Sequence, residues 1–360
     1  MAPLKMKKNK PILTIAIPTF NRAYYLNETL KQLHQELKFC KKYNVEILIS
    51  DNASNDNTKT VVAFYKNNIN LKYIRNLQNI GSEKNFAQCF NKAKGHYVLL
   101  LGDDDIFIDG ALLKLLKILE DKKSGVICIR PYGFDNDFRS EFPGQTGKII
   151  TFDKLNAFLF KINIYMTLIS SCVINKHLIS DIDANVYCGS FLIQVSLVIE
   201  AAKKANQNIY VSSYMIACKR NNAGGFNSRV FVTNLGLILD SYISNGLSVD
   251  DIKKIDYKFM LSYYPQYLLK FILYKNKKNS DASFFEFLDD INYIDFYKRY
   301  RKRFCFYFLV YPFFKFPRFL GIIWGFFLVF TGRLINGDFL RGFKFVTNKF
   351  KMKFKIHKIN

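Results

Sequence analysis

Short apolar runs that alternate with longer amphipathic segments limit most strongly what this chain can fold into. The first run, ILTIAIP at 12–18, is β-branched, uninterrupted and stopped by a proline, which is typical of a buried strand. Residues 24–43 follow with apolar side chains at helical spacing, and apolar runs recur at 45–51, 71–76 and 96–105. This β-α-β-α order predicts an α/β fold, with a mostly parallel sheet and helices on both of its faces.

Weaker patterns continue this organisation toward the C-terminus. They predict strands at 126–132 and 170–176, a polar loop at 137–150, a helix at 190–205, and helices through 230–290. The chain therefore divides into four predicted regions: a basic N-terminal extension (1–11), an α/β domain (12–228), a helical extension (229–295) and a basic, aromatic tail (296–360).

Polar side chains follow three of the predicted strands. They are the segment Pro18–Arg22, the pair Asp51 and Asn52, and the acidic triplet Asp103–Asp105. Ligands of open parallel sheets bind beyond the carboxyl ends of the strands, so we expect these residues to share a site. Asp51 could accept hydrogen bonds from a base or ribose, although its segment also fits an ordinary capped helix start.

The acidic triplet is the most specific of these signals. Three adjacent carboxylates raise one another's pKa and are costly to bury together without a cation. A divalent Mg²⁺ or Mn²⁺ that joins the carboxylates to a diphosphate would relieve this repulsion. The alternative is a helix N-cap, but capping needs one acid rather than three. The triplet therefore predicts a metal and a phosphorylated ligand.

Four segments, IAIPTFNR, ILISDNASNDNT, NIGSEKNF and YVLLLGDDDIF, resemble in order and spacing the nucleotide-binding half of the family 2 glycosyltransferases. The resemblance is strong over 12–120, looser over 120–225, and greatest to the branch of abequosyltransferases and other enzymes that build bacterial surface polysaccharides. It implies the GT-A fold, which is Rossmann-like. It also implies a nucleotide-sugar site formed by Pro18, Thr19, Asn21, Arg22, Asp51, Asn79, Gly81, Lys84, Asn85 and Asp103.

In the same resemblance, Asp103–Asp105 match the metal-binding DXD region. The register has two readings. DXD can be Asp103 and Asp105, whereas alignment on the commoner D-S-D-D-I form makes Asp104 the ligand. We expect Asp104 to be the principal ligand of Mn²⁺ or Mg²⁺, supported by Asp105 and Asp103.

The chain departs from the family at the catalytic base. Many relatives carry an ED pair just before a helix in the second half of the domain, whereas the matching helix here, 189–201, begins without an acid. Asp181, Asp183 and Glu200 are the candidate bases, and Asp183 and Glu200 also fit ordinary acids with no catalytic role. Arg220, in the glycine-containing loop 220–225, could neutralise charge on the leaving diphosphate, or belong to a plain surface loop.

The basic excess lies mainly in the tail. The chain carries +24, and residues 296–360 contain fifteen Lys and Arg against one acid, a net +14. The tail also contains two apolar runs, 304–314 and 319–330, each shorter than the about 20 residues of a membrane-spanning helix. With cations around them, they predict a helical hairpin in the interface of an anionic membrane. A buried helical pair is the alternative, and a span across 304–330 would bury Lys315 and Arg318.

Other features exclude several classes of protein. The seven cysteines are scattered without a CxxC pair, which predicts reduced thiols rather than disulfides or a zinc site. No signal peptide is visible at the basic start. No GxGxxG follows the first strand, which disfavours a dehydrogenase, and uninterrupted apolar runs disfavour a nucleic-acid partner.

The sequence therefore predicts a metal-dependent, inverting glycosyltransferase at the cytoplasmic face of the bacterial inner membrane. Its donor would be a nucleotide-diphosphate sugar. Its acceptor would be a glycan, lipid-linked, such as a growing lipopolysaccharide, lipooligosaccharide or capsule chain. The alternative is a non-catalytic protein that binds a nucleotide or polyanion, which the absence of the ED pair favours.

Overall fold

The computed structural model describes residues 10–144, 147–220, 222, 226–274 and 291–335. The chain forms two compact units, residues 1–223 and residues 224–360. The division falls within the predicted loop at 220–225, close to the predicted end of the α/β domain at residue 228. The predicted N-terminal extension up to residue 9, and the tail beyond residue 335, lie outside the described residues.

Among the residues that the structure describes, the first unit contains a nine-stranded sheet with six α-helices. The strands are β1 (Leu13–Thr19), β2 (Val45–Asp51), β3 (Leu71–Arg75), β4 (Tyr97–Leu100), β5 (Asp105–Phe107), β6 (Ser124–Phe134), β7 (Ile149–Phe152), β8 (Cys172–Asn175) and β9 (Gln207–Lys219). The helices are α1 (Ala23–Lys38), α2 (Thr58–Lys66), α3 (Ser82–Lys92), α4 (Ala111–Leu119), α5 (Leu155–Ile162) and α6 (Ile193–Lys204). Short 3-10 helices occupy Asn163–Thr167, Ile169–Ser171, Lys176–Ile179 and Ala184–Tyr187.

The N-terminal half of the sheet is parallel, as the alternation of strands and helices predicted. Strand β1 lies between β2 and β4 and is parallel to both, and β2 continues in parallel to β3. Every residue of β1 and β2 is buried, which explains their uninterrupted apolar sequences. The core on one face of the sheet is closed by apolar side chains of α1, α2 and α4, such as Leu30, Val62 and Leu115.

The second half makes the sheet mixed rather than mostly parallel. Strand β8 is antiparallel to both β4 and β6, and β9 is antiparallel to β5 and β7 but parallel to β6. The predicted strand at 96–105 is also two strands, β4 and β5, separated by the turn that carries Asp103 and Asp104. Strand β9 was missed because Ser212 and Ser213 interrupt its apolar pattern, although it is the longest strand described.

The second unit is helical, as predicted for 229–274. A π-helical turn (Arg229–Asn234) leads into α7 (Leu235–Ser241), α8 (Val249–Ser262) and α9 (Tyr264–Tyr274), and the later helices are α10 (Tyr293–Tyr300), α11 (Phe304–Leu309), α12 (Pro312–Lys315) and α13 (Arg318–Ile335). Large buried aromatic side chains form its core: Phe259, Tyr264, Phe296, Tyr300 and Phe306. Helix α8 begins with a capping box between Ser248 and Asp251.

Helix α13 is longer than the apolar run from which it was predicted. It has 18 residues with a mean hydropathy of 1.6, and 28% of them are buried inside the protein. Within the described ranges it is the one helix long and apolar enough to cross a membrane, judged by length and composition alone. Core helices of soluble proteins pass the same criterion. The other predicted run, 304–314, is divided between α11 and α12.

Candidate functional site

Three polar strand ends meet at the carboxyl edge of the parallel half, as predicted. Thr19 lies opposite Asp51 in the β1–β2 register, and its hydroxyl donates to Asp103 Oδ2 at 2.7 Å. Asn21 adopts a left-handed conformation (φ 53°), which asparagine tolerates better than most residues. Its backbone N–H donates to Ser54 Oγ at 2.9 Å. The loops after β1, β2 and β4 are therefore joined by direct hydrogen bonds.

Asp103 and Asp104 lie in the turn between β4 and β5, which we call the acidic turn. Arg22 neutralises it. Its Nε donates to Asp103 Oδ1 at 2.8 Å and its Nη2 to Asp104 Oδ2 at 2.6 Å. Its Nη1 donates to the carbonyl oxygen of Asn222 at 2.8 Å, and the guanidinium lies 4.8 Å from the centre of the Tyr25 ring. Because one cation serves two neighbouring carboxylates, it relieves the repulsion that the sequence pattern implied.

The three acids of the turn have different surroundings. Burial raises the pKa of Asp103 to about 6, against the opposing effects of Arg22 and Thr19. Burial, followed by the charge of Asp104, raises the pKa of Asp105 to about 7. Asp105 accepts a hydrogen bond from Ser170, whose Oγ also accepts from the Gly102 N–H at 2.9 Å. Asp104 is the least buried of the three.

The donor set fits a cation that is shared with a phosphorylated ligand. Mg²⁺ at nucleotide sites is commonly held by one or two carboxylates, and phosphate oxygens and water complete its shell. Asp103 and Asp104 offer such a pair, since one guanidinium reaches both carboxylates. Among the residues that the structure describes, no cluster of three or more His, Cys, Asp or Glu side chains could hold a metal ion.

Asp51 is completely buried at the end of β2. Its Oδ1 accepts from the Ser54 N–H at 2.8 Å, and its Oδ2 accepts from the Tyr73 hydroxyl at 2.5 Å. Arg75 Nε lies 3.6 Å from the same Oδ2. Asp51 therefore shapes the turn that follows β2, in addition to any contact with a base that the family resemblance implies.

The loop between β3 and α3 joins this edge through side-chain amides. Asn52 Nδ2 donates to Asn79 Oδ1 at 2.7 Å, and Asn85 is buried against the hydroxyl of Ser50. Gly81, at φ 85°, adopts a backbone conformation that other residues disfavour, directly before α3. The predicted set Asn79, Gly81, Lys84 and Asn85 thus lies on one loop and the first turn of the helix that follows it.

A cavity of about 590 Å³ is lined both by residues predicted to bind the nucleotide and by a candidate base. Asn79 and Lys84, predicted at the nucleotide, line it with Asp183, a candidate base. Asp183 caps the 3-10 helix Ala184–Tyr187 and accepts from Asn91 Nδ2 at 2.6 Å. Its pKa is lowered, first by the hydrogen bond from the Asn185 N–H. A carboxylate held in its ionised form in this way is a weak proton acceptor.

The other two candidate bases make ion pairs elsewhere. Asp181 is exposed and lies 3.1 Å from Lys204 Nζ, and Glu200, inside α6, lies 3.2 Å from Lys203 Nζ. Among the described contacts of Asp181, Asp183 and Glu200, none is with the acidic turn. The assignment of the base remains a prediction.

The loop 220–225 contributes a different residue from the one that its charge suggested. Arg220 pairs with Asp135 at 2.6 Å and with Glu141 at 3.2 Å. Asn222 reaches the acidic turn instead, and its Nδ2 donates to Asp104 Oδ2 at 2.7 Å. Sequence reasoning singled out this loop but not Asn222. The two adjacent asparagines near the start of this loop were the sequence feature that could have indicated a polar contact with the site.

A second cavity, of about 420 Å³, opens beside Asp104 and was not predicted. Tyr24, Tyr25, Glu28, Gln32 and Asp104 are among the residues that line it. Aromatic faces combined with carboxylate and amide groups suit a sugar, which has both apolar C–H faces and hydroxyl groups.

Comparisons with known proteins agree with this architecture. Residues 14–182 match the family described as Glycosyl transferase family 2. The chain is 35% identical over 121 residues to abequosyltransferase RfbV of Salmonella typhimurium, covering 33% of this chain and 36% of that protein. It is 36% identical over 111 residues to the GalNAc(5)-diNAcBac-PP-undecaprenol beta-1,3-glucosyltransferase of Campylobacter jejuni, covering 30% of this chain and 34% of that protein. The match thus spans about a third of the length of these relatives.

The crystal structure of Staphylococcus aureus TarS 1-349 in complex with UDP-GlcNAc has the same fold. Its TM-score is 0.55 at 17% sequence identity, with 91% of this chain and 92% of that chain covered. Residues 14–182 therefore match a family 2 glycosyltransferase domain, and the fold is GT-A-like, as the sequence resemblance implied.

Proposed function

We propose that this protein transfers a sugar from a nucleotide-diphosphate donor to a glycan acceptor in the synthesis of a bacterial surface polysaccharide. One observation carries the proposal. Thr19 and Arg22 bind the acidic turn at the sheet edge where Asp51 also lies, and this edge belongs to the region that matches the family 2 glycosyltransferases. The names of two relatives support the substrate class. One is an abequosyltransferase, and another acts on a PP-undecaprenol-linked saccharide.

The donor half of the reaction follows from the charges at this edge. A Mn²⁺ or Mg²⁺ ion, when bound, would neutralise charge on the leaving diphosphate. Asp104, with Asp103, would hold it. Arg22 fixes both carboxylates on one side of the turn, and Thr19 fixes the second oxygen of Asp103. Because these contacts hold the carboxylates in place before the reaction, the cation that stabilises the developing charge would need no reorganisation of its ligands.

The acceptor half requires a base for direct displacement with inversion. Asp183 is the best placed of the three candidates because it shares a cavity with Asn79 and Lys84. Its lowered pKa counts against it. A non-catalytic nucleotide- or polyanion-binding protein is therefore a second candidate function. It is favoured by one observation, that the described contacts bring none of Asp181, Asp183 and Glu200 to the acidic turn.

The composition of the second unit supports the proposed partners and location. A basic, aromatic region at 296–360 supports peripheral attachment to an anionic membrane at the cytoplasmic face of the inner membrane. An enzyme held there would meet a lipid-linked saccharide acceptor. A nucleic-acid partner is not proposed.

A panel of nucleotide sugars tests the proposal. We expect one of them to be hydrolysed slowly in the presence of Mn²⁺, and chelation to abolish this hydrolysis. Asp104→Asn should lower the rate on the order of 10²- to 10³-fold. The matched control is Asp121→Asn, which removes an exposed acid away from the site and should leave the rate unchanged.

Other outcomes of the same assay count against the proposal. Tight binding of a nucleotide without hydrolysis or transfer would favour the non-catalytic alternative. If no nucleotide or nucleotide sugar binds, the proposed function is wrong.

A further inference from the structure

Large apolar side chains remain exposed on one side of α11 and α13. Five of them, each more than half exposed, define what we call the apolar face: Phe304, Phe308, Phe319, Ile323 and Phe327. The indole N–H of Trp324 donates to the Phe308 carbonyl oxygen at 2.8 Å, and the Trp324 and Phe327 rings stack 5.4 Å apart. The two helices therefore present these side chains together. Exposed apolar patches of this kind mark interaction sites.

The opposite side of α13 is closed by helix packing. A Cβ atom on Gly325 would lie 2.8 Å from Leu269 Cδ1, and one on Gly332 would lie 2.9 Å from Ser262 Cα. Only glycine permits such a close approach to α8 and α9. Since this side is committed to packing within the second unit, an outside partner would reach α13 through its exposed side, which carries Phe319, Ile323 and Phe327.

Charge around the apolar face identifies the kind of partner. Arg301, Lys302, Lys315 and Arg318 are exposed next to it, and the sequence has no acid between residues 296 and 335. Apolar side chains bordered by cations match the boundary between the head groups and acyl chains of an anionic membrane. A protein partner would require an acidic rim, which is a narrower condition than an anionic lipid surface.

The arrangement of charges also limits how deeply α13 can enter. Arg318 and Arg333 are 15 residues apart, a separation of about 22 Å along a helix, whereas the hydrocarbon core is about 30 Å thick. Helix α9 packs alongside and carries Lys270 one residue from Leu269, which faces Gly325. A spanning α13 would therefore draw Lys270 into the hydrocarbon, where a charge is costly.

We infer that the apolar face of α11 and α13 lies flat in the interface of an anionic membrane, and that α13 does not span it. The inference rests on the proposed function in one respect, because it specifies the membrane attachment that a lipid-linked acceptor requires. It concerns only the second unit.

The single tryptophan of the chain makes the depth measurable, since Trp324 lies in α13. The full chain is mixed with vesicles of phosphatidylcholine, with or without phosphatidylglycerol. We expect sedimentation with the phosphatidylglycerol vesicles and a blue shift of Trp324 fluorescence. Lipids brominated near the head group should quench Trp324 more strongly than lipids brominated near the chain end. A spanning helix would reverse this order, because Trp324 is near its middle.

Substitutions test whether the apolar face makes the contact with the membrane. Ile323→Asp combined with Phe327→Asp should lower the partition coefficient on the order of a hundredfold, since each removes a large apolar side chain from the interface. Both positions face solvent, and circular dichroism checks that the fold is retained. The matched control, Phe64→Asp, changes an equally exposed aromatic residue on α2 and should leave partitioning unchanged.

Three results would overturn the inference. They are unchanged partitioning of the double variant, stronger quenching by deep bromines, and a lipid-free dimer of the wild type that the double variant loses. The last would show that a second copy of the chain covers the face. Hydrolysis of nucleotide sugars by the wild type without vesicles is measured separately, so failure of membrane binding is distinguishable from failure of the proposed donor chemistry.

Discussion

Replacement of Arg22 by methionine tests whether this side chain holds the acidic turn together. Methionine retains most of the apolar stem but removes the guanidinium. Asp103 and Asp104 would then lose their shared cation, with side chains only 8% and 10% exposed. The backbone carbonyl of Asn222 would also lose the Nη1 donor at 2.8 Å. The variant thus leaves two neighbouring carboxylates uncompensated in a poorly solvated position.

The expected loss of stability follows from this burial. Removal of one partner from a fully buried ion pair costs about 3–5 kcal/mol. The Arg22 side chain is 27% exposed, so solvent screening reduces this to about 2–3 kcal/mol. For a unit of this size, the midpoint of thermal unfolding should fall by roughly 5–10 °C. Arg22→Lys keeps the charge but not the forked geometry, and should lose about half as much.

Thermal unfolding of the first unit is followed by far-ultraviolet circular dichroism, because the single tryptophan lies in the second unit. The same substitution in an Asp104→Asn background should cost about 1 kcal/mol less, since one of the uncompensated charges is already gone. Mn²⁺ should raise the midpoint of Arg22→Met more than that of the wild type, because a cation can replace the guanidinium. An unchanged midpoint for Arg22→Met, or an equal loss in both backgrounds, would refute the reasoning.

Substitutions at three further positions test other contacts. Ser170→Ala removes the hydroxyl donor to buried Asp105 and should cost about 1–3 kcal/mol of unfolding free energy, measured by urea titration, whereas Ser170→Thr should cost less. Gly325→Leu should destabilise the second unit by at least about 1–3 kcal/mol, read from tryptophan fluorescence during unfolding, because even its Cβ would lie 2.8 Å from a Leu269 carbon. Burial, and then a neighbouring histidine, lower the pKa of His96. Because the unfolded chain therefore binds a proton more readily than the folded chain, the free energy of unfolding should fall as pH drops through about 6.5. His96→Phe should lose less stability between neutral and mildly acidic pH, and an identical pH dependence would contradict this assignment.

Local patterns were sufficient for much of the fold. Strands β1 and β2 are buried on both faces, so their apolar runs are continuous and easily recognised. Strand β9 was missed because a pair of serines breaks its pattern, and its place beside β5, β6 and β7 depends on residues far apart in the chain. The antiparallel direction of β8 likewise depends on how the chain returns to β4, which no local spacing encodes.

The candidate site was likewise predicted in part: the positions of its loops were predicted, but the partners of its side chains were not. The loops that bear Thr19, Asp51 and Asp103 were predicted to meet, because parallel strands place their carboxyl ends along one edge. The partners of each acid could not be predicted. Asn222 reaches Asp104 across 118 residues of chain, and Ser170 reaches Asp105 across 65. Arg220 was predicted at the diphosphate because of its charge, but in the structure it pairs with Asp135 and Glu141.

The sequence by itself determined the class of fold, the edge at which the acidic turn lies, and a C-terminal region that is both apolar and basic. These follow from periodicity, strand order and composition, which are local properties of the chain. Only the tertiary structure decided which acid stays accessible, which cation neutralises the turn, and which side of α13 remains open. Those outcomes depend on burial and on contacts between distant residues, and neither is a property of a residue taken alone.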